Sequence, residues 1–395
     1  MGANRLIGLD AARGIAVLGM FAVHVGPTPR FSGAGWLLVA ADGRAPAVFT
    51  LIAGFSLALA RSRIAEERPL WTTLTRCAVL AALGLWLAAL SPGILVILAF
   101  YALYFLAAEP FTRLRTRTLI AVAGASIVVG PVLSYVLGNA FGLRTGGRGA
   151  TPLPGDLADW SDAGRALGQL TLSGAYPLLT YFPYILVGMA LGRLTDLRRT
   201  RSDRLLIIGG AAAAVIGYGL SWLALHPGGR QGPLLDAVAR EHRWALAHPD
   251  PIAAVLESQF GAVPSTSWDW LLLATPYSQT PLETLGNAGV GALLIGLMVA
   301  LARTPVAAKA LGPVAAVGAM ALSVYVVHTL ALVMLPDARS DWASLLWYVA
   351  AALLGCLTWQ YAWRGSPLRR GPLEWGLRAL TRPRSAGRDG AAVSG

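Results

Sequence analysis

Long apolar runs recur along almost the whole chain and decide which folds are open to it. A run of about 20 apolar residues can cross a bilayer as an α-helix, which satisfies every backbone N–H and C=O internally. We find ten such runs, the second to fourth of them short, at residues 6–26, 45–60, 77–91, 93–108, 118–138, 171–192, 205–225, 281–302, 311–335 and 342–363. The sequence therefore predicts an all-α polytopic membrane protein with about ten transmembrane helices.

The composition supports this class and argues against others. Apolar residues make up 55% of the chain and charged residues 13%, about half the charged fraction of a soluble domain. The net charge of +12 does not indicate nucleic-acid binding, because the basic residues lie in short loops between apolar runs. Cys77 and Cys356 both lie within apolar runs, so we expect small packing residues and no metal site.

The loops alternate between Arg-rich and Arg-poor. The positive-inside rule then places both termini in the cytoplasm. Two of the outer loops are long, at 139–170 and 226–280, and we expect them to cover a substrate site or to cap the bundle. We divide the chain into a helical bundle, 1–363, and a basic cytoplasmic tail, 364–395, which begins with a short helix on the inner leaflet and is then disordered.

The first apolar run carries three ionisable residues, Asp10, Arg13 and His24. Such groups are costly at membrane depth and usually face a bundle interior. On an α-helix Arg13 and His24 share one face, roughly 16 Å apart along the axis, with Asp10 one turn before Arg13. We expect a polar stripe from the inner to the outer end of this helix. The alternative is that Asp10 and Arg13 form a structural pair and that His24 lies at the interface.

Further polar residues are expected at the depth of this histidine, near the outer ends of later runs. Glu283 and Asn287 share one face of the eighth run, and Tyr325 and His328 share one face of the ninth. Arg44 opens the second run. A carboxylate that orients an imidazole is the general form of a base site. Each residue could instead anchor its helix at the interface, and the sequence does not tell which helices are neighbours. We expect no pair of broken helices in matched halves of the chain.

Three stretches carry a resemblance to a known family. They are GLDAARGIAVLGMFAVHV in the first run, GRAPAVFTLIAGFSLAL in the second, and RGPLEWGLRALT in the tail. The chain resembles the YeiB-like family of bacterial membrane proteins, within the transmembrane acyltransferase superfamily. This superfamily includes heparan-alpha-glucosaminide N-acetyltransferases and O-acyltransferases that modify bacterial glycans. In the latter, an Arg followed after ten residues by a His marks the first helix, as Arg13 and His24 do here.

The resemblance implies an acyl-CoA-dependent transmembrane acyltransferase of the bacterial cytoplasmic membrane. Acetyl-CoA would enter from the cytoplasm, and a hydroxyl or amine of an outer acceptor, a sugar or glycoconjugate, would be acetylated, with His24 as general base or acyl carrier. The oligomeric state is left open, a homodimer included. The expected site residues are catalytic His24, His328 and Glu283; donor-binding Arg13 and Asp10; and acceptor-binding Arg44, Asn287 and Tyr325.

Two other function classes fit the same pattern. Polar residues inside the membrane and long outer loops also suit a transporter or flippase of a small amphipathic or anionic substrate. A non-catalytic assembly or sensor protein is the third hypothesis. Binding of acetyl-CoA separates the first class from the other two.

Overall fold

The structure is a computed structural model that describes residues 3–27, 35–62, 70–141, 150–258, 264, 266–335 and 341–381. Every regular element within these residues is helical. The α-helices are α1 Ala3–Val25, α2 Trp36–Val39, α3 Arg44–Ser62, α4 Leu70–Ala89, α5 Leu98–Ala108, α6 Thr116–Ala140, α7 Trp160–Gly168, α8 Leu178–Leu194, α9 Thr200–Leu225, α10 Gln231–Glu241, α11 Pro251–Ser258, α12 Pro281–Leu301, α13 Pro305–Ala310, α14 Gly312–Ala319, α15 Ala321–Met334, α16 Trp342–Ala362 and α17 Pro372–Leu380. The all-α class predicted from the apolar runs is confirmed.

Six of these helices are long and apolar enough to cross a membrane, counted over the described residues: Ile7–Val25, Leu70–Ala89, Thr116–Ala140, Thr200–Leu225, Pro281–Leu301 and Trp342–Ala362. The number rises to eight if each of two bent helix pairs is one span. The predicted count of ten is not confirmed. Helix α5 is one reason: its 11 residues extend only about 16 Å, although the apolar run that predicted it is longer.

The core of the bundle lies where α1 packs against α3, α12 and α14, while α3 packs on α8 and α12 on α9. Side chains at these contacts are fully buried, among them Val17, Ile52 and Val299. The outward faces of α9 and α16 are also apolar, with Ile208 68% and Trp347 76% exposed. A helix that is apolar on both faces is stable only where its outer face meets lipid. The burial pattern therefore fits a membrane bundle.

Two helix pairs are bent, contrary to our expectation from the sequence. The segment Trp160–Ser173 meets Leu178–Leu194 at 55°, and Gly312–Ala319 meets Ala321–Met334 at 83°. The second bend occurs at Met320, within the single apolar run expected at 311–335. Hydropathy is equally high on both sides of Met320, so a periodicity argument does not detect the break.

The outer loop expected at 226–280 is largely helical in its described part. It contains α10, α11 and two short 3₁₀ helices, Arg243–Ala247 and Trp268–Leu272. These pack around Trp270, which is fully buried, and against Tyr135 of α6. A packed apolar core makes this segment a folded cap on the bundle rather than a flexible connection.

The tail contains helix α17, and this helix docks on the bundle. The Glu374 carboxylate accepts hydrogen bonds from the backbone N–H groups of Leu322 (2.8 Å) and Ser323 (3.1 Å) and from the Ser323 hydroxyl (2.6 Å). It thus satisfies donors at the first turn of α15 that the bend leaves without helical partners. The predicted disorder after Pro383 lies outside the described residues.

We expect Glu374→Ala to reduce the free energy of unfolding by about 1–3 kcal/mol, because it leaves helix-terminal N–H groups without an acceptor. Burial raises the pKa of Glu374 from 4.5, so its contribution is present below that value and falls as the pH rises through the raised pKa. The free energy of unfolding is measured with SDS in mixed micelles at a series of pH values. The difference in this free energy between wild type and variant should decrease as the pH rises. Glu241→Ala, at an exposed carboxylate of α10, is the control; equal losses in both variants would contradict the capping role.

Candidate active site

Arg13 of α1 points into the bundle and joins three helices. Its guanidinium donates to the Asp10 carboxylate (2.9 Å), to the Ser56 hydroxyl of α3 (2.7 Å) and to the Gly318 carbonyl of α14 (3.2 Å). The side chains of Arg13 and Asp10 are 20% and 30% exposed. The structural pair that we considered for Asp10 and Arg13 is present, and the arginine has neutral partners besides it.

A close approach of α1 and α14 makes the third of these contacts possible. A Cβ added at Gly318 would lie 1.8 Å from the Asp10 carbonyl oxygen, and one added at Gly14 would lie 2.1 Å from the Val314 carbonyl oxygen. Only glycine fits at this distance. The two backbones therefore touch at the level of Arg13, and Gly318 lies two residues before the bend at Met320.

His24 and His328 meet at the other end of α1. The His24 Nδ1 and His328 Nε2 atoms are 3.0 Å apart, and the two rings lie nearly parallel with centroids 5.3 Å apart. Phe21 stacks on His328 at 3.9 Å, and Tyr348 meets the same ring edge-on at 5.2 Å. His328 is 3% exposed. The aromatic contacts hold one imidazole in place, and His24, half-buried, lies against it.

Two hydrogen-bonded imidazoles can move a proton between them. In such a contact one ring nitrogen donates and the other accepts, and the roles exchange when the tautomers change. Histidine titrates near neutral pH, which suits it to take a proton from an acceptor hydroxyl or amine and to return it later. A base that is itself oriented by a second residue is the usual arrangement of an acid–base site.

A small cavity of about 20 Å³ lies beside His24. It is lined by Met20, Val23, His24, Pro46, Leu95, Ile97, Tyr176, Tyr277 and Tyr325. Its volume accommodates about one water molecule. Among the described residues its lining stops at Met20, one turn of α1 below His24, and Arg13 is not part of it. An acyl chain could reach His24 from the Arg13 end only after the surrounding helices or side chains move.

Glu283, near the start of α12, hydrogen-bonds to the turn that precedes its helix. Its carboxylate accepts hydrogen bonds from the backbone N–H of Tyr277 (3.0 Å), the Ser278 hydroxyl (3.2 Å) and the Asn287 amide (3.2 Å), and also from the backbone N–H of Gln279. Tyr277 and Gln279 have φ values of 62° and 51°, which residues other than glycine rarely adopt. The carboxylate therefore holds a strained turn, and it affects the cavity through Tyr277.

Arg44 and Asn287 belong to this second cluster. The Arg44 guanidinium donates to the Tyr218 hydroxyl (2.8 Å), which donates to the Asn287 amide oxygen (2.7 Å); the Asn287 amide nitrogen donates to the Tyr184 hydroxyl (3.2 Å). Four helices, α3, α8, α9 and α12, are joined in this way. The network ties these helices together around Asn287, which is 1% exposed.

Tyr325 lies on the cavity wall with its hydroxyl accepting the Ile97 backbone N–H at 3.2 Å. The structure thus brings His24, His328 and Tyr325 together. A neighbouring network contains Glu283, Asn287 and Arg44. Asp10 and Arg13 lie toward the opposite end of α1.

Sequence reasoning missed Tyr277, Tyr218 and Ser56. Their membership depends on which helices are neighbours, and no local spacing in the sequence indicates it.

The fold and these contacts define a multi-pass helical membrane protein in which a half-buried histidine, His24, lines a cavity and contacts a buried one, His328. Residues 5–221 match a family model described as "Heparan-alpha-glucosaminide N-acetyltransferase, catalytic", which spans more than half of the chain. The chain therefore belongs to this family, and the family places it among membrane acetyltransferases.

A second family model, described as "Protein of unknown function (DUF418)", matches residues 238–384. The resemblance to the YeiB-like family of the transmembrane acyltransferase superfamily is confirmed by the two matches together. No curated protein matches the chain significantly. His24 and Arg13 fall within the first matched region, and His328 and Glu374 within the second. The histidine contact therefore connects the two regions.

We expect Glu283→Ala to lower the free energy of unfolding by about 2–4 kcal/mol, because the buried N–H groups of the turn lose their acceptor. SDS unfolding in mixed micelles measures this loss. The matched control is Asp236→Ala, an exposed carboxylate on α10, which should change stability by less than about 0.5 kcal/mol. A Glu283→Ala variant as stable as the control would contradict the role assigned to the turn.

Proposed function

We propose that this protein transfers an acyl group, acetyl in the first instance, from acyl-CoA on the cytoplasmic side to a hydroxyl or amine of an acceptor on the outer side. The observation that carries the proposal is the His24–His328 contact beside a cavity, in a chain of an acetyltransferase family. The acceptor class that fits best is a sugar or glycoconjugate, by analogy with the substrate in the family's name. The membrane is the bacterial cytoplasmic membrane.

In the proposed step His24 acts as general base. It takes the proton of the acceptor O–H or N–H while the acceptor oxygen or nitrogen attacks the thioester carbonyl carbon. The new C–O or C–N bond forms, the C–S bond breaks, and the CoA thiolate leaves and receives a proton. His328 is a positioning residue, since it orients the His24 ring and can share the transferred proton.

A two-step route through an acyl-imidazole is the alternative course of the same reaction. There a His24 ring nitrogen attacks the thioester carbon, the C–S bond breaks, and CoA leaves as the thiol with the imidazole proton. The acceptor oxygen or nitrogen then attacks the acyl carbon, the C–N bond to His24 breaks, and the imidazole takes up the acceptor proton. Rapid acid-free quenching and intact-protein mass spectrometry distinguish the routes, because only the second adds an acetyl group to wild-type protein in the absence of acceptor.

In this proposal the positive charge of Arg13 attracts the anionic acyl-CoA donor at the cytoplasmic end of α1. Its position about 16 Å from His24 along α1 is comparable to the length of an extended pantetheine arm. Because the cavity beside His24 holds only about 20 Å³, the proposal requires the bundle to open between these residues when the donor binds. The bend between α14 and α15 lies close to Arg13, and α15 carries His328, so this bend is the element suited to the movement.

A transporter or flippase is the second candidate, and the two bent helix pairs favour it. Broken helices at polar sites are typical of secondary transporters. The match to an acetyltransferase family favours the enzyme.

Acetyl-CoA should raise the melting temperature of the purified protein in nanodiscs, because a ligand that binds only the folded state stabilises it. At 100 times the dissociation constant the gain is about 2.7 kcal/mol. Pantetheine, which lacks the nucleotide and its phosphates, is the control and should raise the melting temperature by less. A transporter of an unrelated substrate should show no shift with acetyl-CoA.

We expect His24→Ala to reduce acetyl transfer at least about 100-fold while CoA binding is kept, since loss of a general base costs 10²–10⁴-fold. Transfer is measured as radioactive acetyl incorporated from acetyl-CoA, added outside inverted membrane vesicles, into amino sugars or neutral sugars loaded inside them. His248→Ala, at an exposed histidine of the outer cap, is the matched control. Full activity of the His24 variant would reject the proposed role.

A further inference from the structure

A second cavity lies beneath the tail, between the 3₁₀ turn Pro367–Arg370 and α17. Its volume is about 240 Å³. We call it the tail cavity, and it is lined by Ser366, Pro367, Arg369, Arg370, Trp375, Arg378 and Ala379. Three of these seven residues are arginines, and all three are exposed at the surface. A concave site with three guanidinium groups is suited to bind phosphate, which arginine recognises with paired hydrogen bonds.

The charges around the tail cavity favour an anion. Among the described residues, none of its three arginines forms an ion pair with a carboxylate. The nearby acids are already bound, Asp10 to Arg13 and Glu374 to the first turn of α15. Burial, and then the Arg370 charge, lower the pKa of Arg378; Glu374 and Asp10 act in the opposite direction, and the net pKa stays lowered. The cations repel one another, so an anionic ligand would stabilise them together.

Trp375 narrows the choice among phosphate ligands. Its indole is 42% exposed and lines the same cavity as the arginines. An exposed aromatic face beside cationic groups is the usual platform for a nucleobase, because stacking and phosphate contacts act together. A base requires the indole for stacking, whereas a lipid phosphate needs only the arginines.

The tail cavity is also close to the donor end of the proposed site. Glu374, one turn before Arg378, is bonded to Ser323, and Gly318, five residues before Ser323, accepts a hydrogen bond from Arg13. We propose that the tail cavity binds the phosphorylated adenine nucleotide of the acyl-CoA donor, with Arg370 and Arg378 on its phosphates and Trp375 against its base. This inference rests on the proposed function and assigns that function's donor a binding site on the cytoplasmic tail.

The tail helix links this site to the bent helix. Glu374 lies one turn before Arg378 on α17 and holds the first turn of α15, the helix that carries His328. A nucleotide bound by Arg378 therefore rests on the element that fixes the bend.

The test measures binding to the full chain in nanodiscs of zwitterionic lipid. The probes are CoA and adenosine 3′,5′-bisphosphate, which lacks the pantetheine arm. Replacing both arginines, R370Q with R378Q, should lower the affinity for both probes by about tenfold or more, because each charged hydrogen bond contributes substantially to binding. The control R364Q removes an arginine that stacks on Tyr361 at 3.9 Å outside the cavity, and it should change affinity by less than about twofold.

The variant W375L separates a nucleotide from other phosphate ligands. It should lower the affinity for adenosine 3′,5′-bisphosphate several-fold and leave the affinity for inorganic pyrophosphate nearly unchanged, because pyrophosphate has no base to stack. Equal losses for the two probes would overturn the nucleotide assignment. Thermal melts without ligand confirm that each variant is folded, and the conservative variant R378K should recover part of the affinity if charge is what matters.

The remaining outcomes distinguish the two proposals. If wild-type protein binds CoA and the R370Q/R378Q variant binds it equally well, the tail cavity is not the nucleotide site, and the acyltransferase proposal stands. If wild-type protein binds neither probe, the acyltransferase proposal itself fails. If the double variant instead loses only the stabilisation that anionic lipid gives to wild type, the cavity takes a lipid headgroup and the inference is wrong.

Discussion

The structure depends on how one charged residue is kept inside an apolar bundle. Arg13 is held by the Asp10 carboxylate, the Ser56 hydroxyl and the Gly318 carbonyl, so that its charge and hydrogen-bonding groups are satisfied away from lipid. These partners come from α1, α3 and α14, and they fix the three helices relative to one another. The cost of an unpaired guanidinium in this environment is several kcal/mol, which makes the contact a strong constraint on how the helices assemble.

The same helix brings the two family-matched regions together. Residues 5–221 provide Arg13 and His24, and residues 238–384 provide His328 and the tail helix. At one end of α1 the regions meet at the Arg13–Gly318 contact, and at the other they meet where His24 contacts His328. Neither region has a complete site alone. The chemistry proposed for this protein therefore depends on the packing between them, and the bend at Met320 is what directs α14 toward one contact and α15 toward the other.

Hydropathy and charge spacing predicted the helical class, the position of nearly every long helix, and the inward-facing stripe of Asp10, Arg13 and His24. These features are local, because a helix of known period fixes which residues share a face. The spacing of Tyr325 and His328 also placed both correctly on one side of α15. The hydrogen-bond partners of Glu283 were not predictable, because they belong to a turn with positive φ at Tyr277 and Gln279. No sequence pattern predicts such a turn.

By itself, then, the sequence determined that the chain is an apolar helical bundle and which residues could carry charge or a proton within it. Only the tertiary structure decided that His24 meets His328, that Glu283 supports a turn, and that the tail folds back against the α14–α15 bend. The physical reason is that periodicity specifies one face of one helix, whereas neighbours are selected by close packing. Contacts such as Gly318 against the Asp10 carbonyl join residues hundreds of positions apart, and these contacts are settled only when all the helices pack together.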